Sequence, residues 1–180
     1  MSAIDFETLC NNAVKMGYGA IAEAFHSRSE EVMLALDTLN DSEIDGMETY
    51  IRFLLASVAA DGTLALEEYF LLRRMFDHIL GKTTEYDDAV WFMMDNGLTD
   101  RSKYHGLIES MRNVLSRLDE PMRQKLVEIS VLISAADGVI TDDEKAWIRQ
   151  IAFPSEGAAS DGLIDNIMST EGHSDLRNRF

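Results

Sequence analysis

Residues 131–144 read V-L-I-S-A-A-D-G-V-I-T-D-D-E, and an earlier stretch, residues 55–68, echoes them as L-A-S-V-A-A-D-G-T-L-A-L-E-E. A constant 76 residues separates the two copies. At that offset Ala135, Ala136, Asp137, Gly138, Ile140 and Glu144 fall on Ala59, Ala60, Asp61, Gly62, Leu64 and Glu68, and farther on Arg149 falls on Arg73. A self-match at fixed offset constrains the fold before any local reading, because both copies must build the same supersecondary unit.

The later copy shows what that unit is. Residues 129–136 are apolar except for Ser130 and Ser134, so they predict a helix buried on most sides. Gly138 follows Asp137 where this helix must stop, and glycine alone takes a positive φ at little cost. Ile140 is a lone apolar residue in a polar turn and is expected to tuck back into the core. Thr141 and Glu144 have the spacing of a capping box, in which each side chain satisfies an orphan N–H of the first helical turn. The earlier copy has Ala65 where Thr141 stands. Each copy therefore reads as helix, acidic turn, helix, and the pair predicts two pseudo-symmetric halves related by a rotation close to twofold.

The pattern D-G-x-I-x-x-x-E also matches the second half of an EF-hand loop. With Asp137 at the fifth loop position, the first and third fall on Ile133 and Ala135, and in the other copy on Ser57 and Ala59. Two of the usual carboxylate ligands are missing from both, which rules out an EF-hand. The carboxylates that remain are Asp61, Glu67 and Glu68 in one turn and Asp137, Asp142, Asp143 and Glu144 in the other. If the halves bring the turns together, these groups supply hard oxygen ligands for a divalent cation such as calcium or magnesium. Capping and turn formation alone account for each copy separately, so both readings stand at this point.

The doubled A-x-A-D-G-x-I-x-x-x-E, with the following E-K-A-W-I-R-Q-I-A at residues 144–152, resembles the tellurite-resistance TerB-like family. The resemblance covers about residues 45–152, and the later copy is the stronger match. It implies a small all-helical domain, an acidic face that takes divalent cations, no catalytic activity, and a place in bacterial stress-response or membrane-associated complexes. The first forty or so residues have no counterpart in it. Phe153, Pro154 and Ser155 replace the small, glycine-containing ending usual in that family.

The charge narrows the classes of partner. A net charge of −16 disfavours nucleic acid, whose phosphates need a contiguous cationic surface. It equally disfavours docking on anionic lipid, and it favours cations or a basic protein surface. Hydrophobic residues make up 46% of the chain, enough for a real core. Cys10 is the single cysteine, which excludes an intrachain disulfide and fits a reducing compartment. The opening residues lack the basic start of a signal peptide and carry Asp5 and Glu7. No apolar run approaches the ~18 residues of a membrane helix. The expected location is the cytoplasm.

Other helices are expected over residues 4–25, 30–39 with Ser29 as cap, 43–60 with Ser42 as cap, 66–80, 84–96 opened by Thr84, one begun by Thr99 or Asp100 and running through 118, one started at Asp119-Glu120-Pro121 and running through the buried stretch 129–136, 142–152 and 160–169. The domain layout is an N-terminal helical extension, residues 1–41, a TerB-like helical domain, 42–172, and a polar tail, 173–180. The fold class is all-α, since no strand-length alternation occurs. Glu23-x-x-His26 is a single E-x-x-H where a di-iron bundle needs two, and His78, His105 with Glu109, and His173 make no ligand cluster. No nucleophile elbow, phosphate loop or dinucleotide fingerprint is present. Trp91, Phe92, Met93 and Met94 read as core or as an adaptable partner groove. The functional expectation is a non-enzymatic stress-response protein holding a divalent cation at Asp61, Glu68, Asp137, Asp142, Asp143 and Glu144. The alternative is a structural adaptor that binds a protein partner through the acidic face or the methionine- and aromatic-rich helices.

Overall fold

The computed structural model describes residues 3–38, 46–100 and 118–152. Its elements are α1 (Ala3–Ala13), α2 (Tyr18–Thr38), α3 (Gly46–Val58), α4 (Leu66–Leu80), α5 (Tyr86–Asp95), α6 (Glu120–Ser134) and α7 (Asp142–Ala152). The fold is all-α, with no strand among the described residues. None of the described helices is long and apolar enough to cross a membrane.

The helix predicted to be most enclosed is the one the others surround. α6 packs against α1, α2, α3, α4 and α7, and every residue from Ile129 to Ala136 is buried. A helix apolar on all sides has no face to give to water, so it takes the centre. Its start follows the sequence: Asp119 Oδ1 accepts the Met122 N–H at 2.9 Å, with Pro121 in the first turn. The N-terminal helices join the same core through Phe6, Cys10, Ile21, Phe25 and Val32. Arg149 on α7 also pairs with Glu7 and lies 5.2 Å from the Phe6 ring centroid, pinning α1 down.

Three expectations need correction. Residues 4–25 are two helices, not one: the chain leaves the helical path between Ala13 and Tyr18, around Gly17, where glycine offers little resistance. Ser29 is no cap but lies inside α2, its Oγ accepting the Tyr50 hydroxyl at 2.7 Å. Thr84 does not open α5. Its N–H and Oγ1 both donate to Asp77 Oδ1 at 2.7 Å, and Glu85 takes the cap position, its N–H donating to Asp88 Oδ2 at 3.0 Å. The expected Ser42 cap, most of the helix over 99–118, the helix over 160–169 and the polar tail lie outside the described residues. Thr99 and Asp100, which are described, are not helical.

Both copies of the doubled segment are helix–turn–helix units, α3–α4 and α6–α7, and their glycines have positive φ, +81° at Gly62 and +90° at Gly138. A Cβ added at Gly138 meets nothing within 4 Å, whereas one at Gly62 would lie 3.3 Å from the Thr99 carbonyl oxygen. Gly138→Val is therefore expected to cost more than about 1 kcal/mol through backbone strain alone. Gly62→Ala should exceed Gly138→Ala, since it adds a contact to the same strain. Urea titrations of the three variants check both statements, and a neutral Gly138→Val would show an ordinary turn.

Candidate functional site

In each turn the aspartate closes a small ring with the backbone ahead of it. Asp61 Oδ1 accepts the Thr63 N–H at 2.9 Å and its hydroxyl at 2.8 Å. Asp137 Oδ1 accepts the Val139 N–H at 2.9 Å. These are Asx turns, which hold the chain in the tight bend that the glycine then completes. Leu64 and Ile140, the lone apolar residues of the turns, are both buried, as expected.

The glutamates cap the following helices. Glu68 Oε2 accepts the Ala65 N–H at 2.8 Å. Glu144 Oε2 accepts both the Thr141 N–H, at 2.7 Å, and its hydroxyl, at 2.8 Å, while Thr141 Oγ1 accepts the Glu144 N–H at 3.3 Å. The later copy thus has the full box and the earlier copy half of one, because Ala65 has no oxygen to offer.

Capping does not explain the burial. Glu68 and Glu144 are only 6% and 4% exposed, although a capping glutamate does its work equally well at the surface. Burial is the main force on both. It pushes Glu68 up to about 9, against the pull of the Ala65 N–H, and Glu144, Asp61 and Asp137 raise it further. Glu144 is also raised, first by burial and then by Asp61. The Thr141 N–H and hydroxyl work against this. Ser134 stands beside the Glu144 carboxyl and favours its charged form, yet closes no hydrogen bond, for its Oγ is a buried atom without a partner. The fold has therefore brought carboxylates from both turns into one another's field.

Four of the six candidate residues share this field: Asp61, Glu68, Asp137 and Glu144. Asp142 and Asp143 stand in the first turn of α7 and are not among the groups that act on Glu68 or Glu144. Each of the four uses an oxygen in its turn or cap. Among the described residues, however, no three histidine, cysteine or carboxylate side chains are arranged to hold one ion. A hard cation such as calcium wants six to eight oxygens at about 2.3–2.6 Å. The donor chemistry fits such an ion, and its capture requires the side chains to close in.

The chain matches no protein-family model, no curated protein and no solved structure. Its chemistry must be read from its own residues.

The methionine-rich run predicted as core or groove is divided. Met93 is buried, Phe92 packs edge-on against Phe76, and Trp91 and Met94 face solvent, Trp91 being 68% exposed. A groove of about 540 Å³ lies elsewhere, between α2, α3 and α4, and contains Met33, Met47 and Met75. No sequence signal pointed to it, because its three walls come from stretches far apart in the chain.

Proposed function

We propose that this is a non-enzymatic cytoplasmic protein of TerB-like type, serving bacterial stress response, that takes up a divalent cation between its two acidic turns. The observation that carries the reading is the burial of Glu68, only 6% exposed, which pushes its pKa up to about 9, with Glu144, Asp61 and Asp137 adding to the rise. A carboxyl in that position holds a proton at neutral pH, and a cation is the other way to satisfy it. Duplicating the aspartate and glutamate supports the same reading, since Ala65 shows that half a cap suffices to start a helix. The resemblance of the doubled motif to the TerB-like family is a further support.

Binding displaces the Glu68 proton, so affinity rises with pH. It is expected to be weak, in the range of about 10⁻⁴ to 10⁻³ M, because the ligands must move together and the first EF-hand carboxylates are absent. About 10 mM calcium or magnesium should then stabilise the fold by about 1–3 kcal/mol. Thermal melting should rise by a few degrees over a sodium chloride control of equal ionic strength, and by more at pH 9 than at pH 7. Asp61→Asn together with Asp137→Asn should remove the rise and leave the protein folded. If the wild type responds no more to calcium or magnesium than to sodium, the carboxylates are turn and cap residues. The acidic face is then better read as an adaptor surface for a basic partner.

A further inference from the structure

We propose that the exposed face of α5 is a docking site for an extended, arginine-rich segment of a partner protein, with one arginine laid on Trp91 and its neighbours paired to Asp87 and Asp95. None of these groups belongs to the acidic turns or is among those that act on Glu68 or Glu144. The inference therefore stands apart from cation uptake.

The helical period sets the face. Asp87, Trp91, Met94 and Asp95 stand at i, i+4, i+7 and i+8 of α5 and share one side of it. All four are exposed. The opposite side carries Ala89 and Met93 into the core and sets Phe92 against Phe76. Trp91 and Met94 are thus not what holds α5 on the body, and both are more than half exposed. Tryptophan is on average a well-buried residue, and an open one is the kind of anchor that dominates protein interfaces. Met94 beside it has a flexible side chain that conforms to whatever lies against it.

Charge selects the partner. Asp87 precedes the indole by one helical turn, and Asp95 follows it by one. At the start of the helix Lys82 Nζ pairs with Asp88 at 2.6 Å. Among the described residues no cation pairs with Asp87 or Asp95. Asp95 lies in the last turn of α5, which has no basic residue, and there a carboxylate opposes the helix dipole. A cation brought by a partner relieves that opposition. The net charge of −16 also draws a basic segment in and repels an acidic one. Arginine fits better than lysine, because its planar guanidinium stacks on an indole face and pairs with a carboxylate through two hydrogen bonds.

Spacing selects an extended chain. Four residues separate Asp87 from Trp91, and four more separate Trp91 from Asp95. Each step is about 6 Å along the helix axis. Alternate side chains of an extended chain fall on one side of it, about 6.6–6.8 Å apart. Arginines at three alternate positions therefore meet Asp87, Trp91 and Asp95 in turn.

The test uses the full-length, isotope-labelled protein in about 150 mM sodium chloride, where exposed charges more than about 8 Å apart are largely screened. Two short peptides are titrated, one with arginines at three alternate positions among serines and glycines, the other with lysines in their place. The chain has two tryptophans, so NMR shows two indole N–H signals, from exposed Trp91 and buried Trp147. The arginine peptide should move the Trp91 signal saturably, leave the Trp147 signal in place, and bind about threefold or more tighter than the lysine peptide. Trp91→Ala, followed through the backbone signals of α5, should weaken the arginine peptide about fivefold or more and remove its advantage over lysine. Asp87→Asn with Asp95→Asn should weaken both peptides about fivefold or more. Glu23→Gln with Glu30→Gln, at exposed positions of α2, removes the same charge and should change affinity less than about twofold. Every variant replaces an exposed side chain, and circular dichroism melting confirms that each is folded. Equal binding of the two peptides overturns the proposal, as does a Trp91 signal that stays still. A control pair that weakens binding as much as the α5 pair also overturns it, by reducing the attraction to net charge. So does a Trp91 signal that shifts with protein concentration alone, by making a second copy of the chain the occupant.

Discussion

Glu68→Gln is expected to leave stability unchanged near pH 4 and to make the protein more stable than the wild type by about 2–4 kcal/mol at pH 9. The sign follows from where the proton resides. In the unfolded chain Glu68 titrates near its ordinary value of 4.5, and in the fold near 9. Between those values the folded state keeps a proton that the unfolded state has released. Stability contributed by this group is therefore complete below about pH 4.5 and is lost progressively as pH rises to about 9. Converted in full at 1.36 kcal/mol per unit, the shift corresponds to about 6 kcal/mol. The realised loss is smaller, because opening the turn to hydrate the carboxylate costs less than unfolding the whole chain. Glutamine keeps an oxygen for the Ala65 N–H and cannot ionise, so the slope should disappear. Urea titrations at pH 5, 7 and 9 read this directly, and parallel curves for wild type and variant would mean that the carboxylate is hydrated in the native state. Glu144→Gln should behave differently. The Thr141 N–H and hydroxyl that bond to Glu144 favour its charged form, so this variant should gain less at high pH and lose part of a full cap.

The same comparison bears on the cation. If calcium replaces the proton, saturating calcium should flatten the wild-type pH dependence towards that of Glu68→Gln. The variant itself should respond to calcium only weakly. Sodium at equal ionic strength screens exposed charges but has little effect on a group this buried.

What could be read in the sequence was whatever the chain settles locally. The Asp-Gly turns, the stop at Gly81 with its φ of +63°, the cap at Asp119 and the enclosed run at Ile129–Ala136 each depend on neighbours a few residues away. Two of the three errors came where a polar side chain had its partner on another element. Ser29 looked like a cap because it precedes an apolar run, but its hydroxyl serves Tyr50 on another helix. Thr84 looked like a cap for the helix ahead of it, but it bonds backwards to Asp77. The acidic residues were visible as ligand candidates, yet the burial of Glu68 and Glu144 was not. Capping needs only a residue three positions away, whereas desolvation depends on how α3, α4, α6 and α7 close over the turns. The groove was illegible for the same reason. Each wall is an ordinary amphipathic stripe, and only tertiary packing shows that the three stripes leave a trough between them.

Trp147→Ala is expected to cost about 3–5 kcal/mol, a large part of the 5–15 kcal/mol typical of a domain's whole stability. Trp147 is 2% exposed and lies one turn beyond Glu144 on α7. Its ring packs near Phe53 at a centroid distance of 6.3 Å. Its Nε1–H donates to Ser57 Oγ at 3.1 Å, and that hydroxyl also reaches the Phe53 carbonyl at 3.1 Å and Ser130 Oγ at 2.9 Å. One side chain thus joins α7 to α3 and α6, the elements that carry both acidic turns. The alanine variant loses the ring and leaves a cavity that these helices cannot fully close. Trp147→Phe separates the two contributions. It retains most of the buried ring and loses only the N–H, and Ser57 still has Phe53 and Ser130, so no buried hydroxyl is stranded. Its cost should be about 1 kcal/mol for the lost hydrogen bond, with a further contribution from the smaller ring. Because Trp147 fixes α7 against α3, Trp147→Ala should also blunt the calcium-induced rise in melting temperature at conditions where it remains folded, while Trp147→Phe should preserve it. If Trp147→Phe costs as much as Trp147→Ala in urea titrations, the hydrogen bond rather than the ring holds the two turns in register, and the calcium response should fall in both variants.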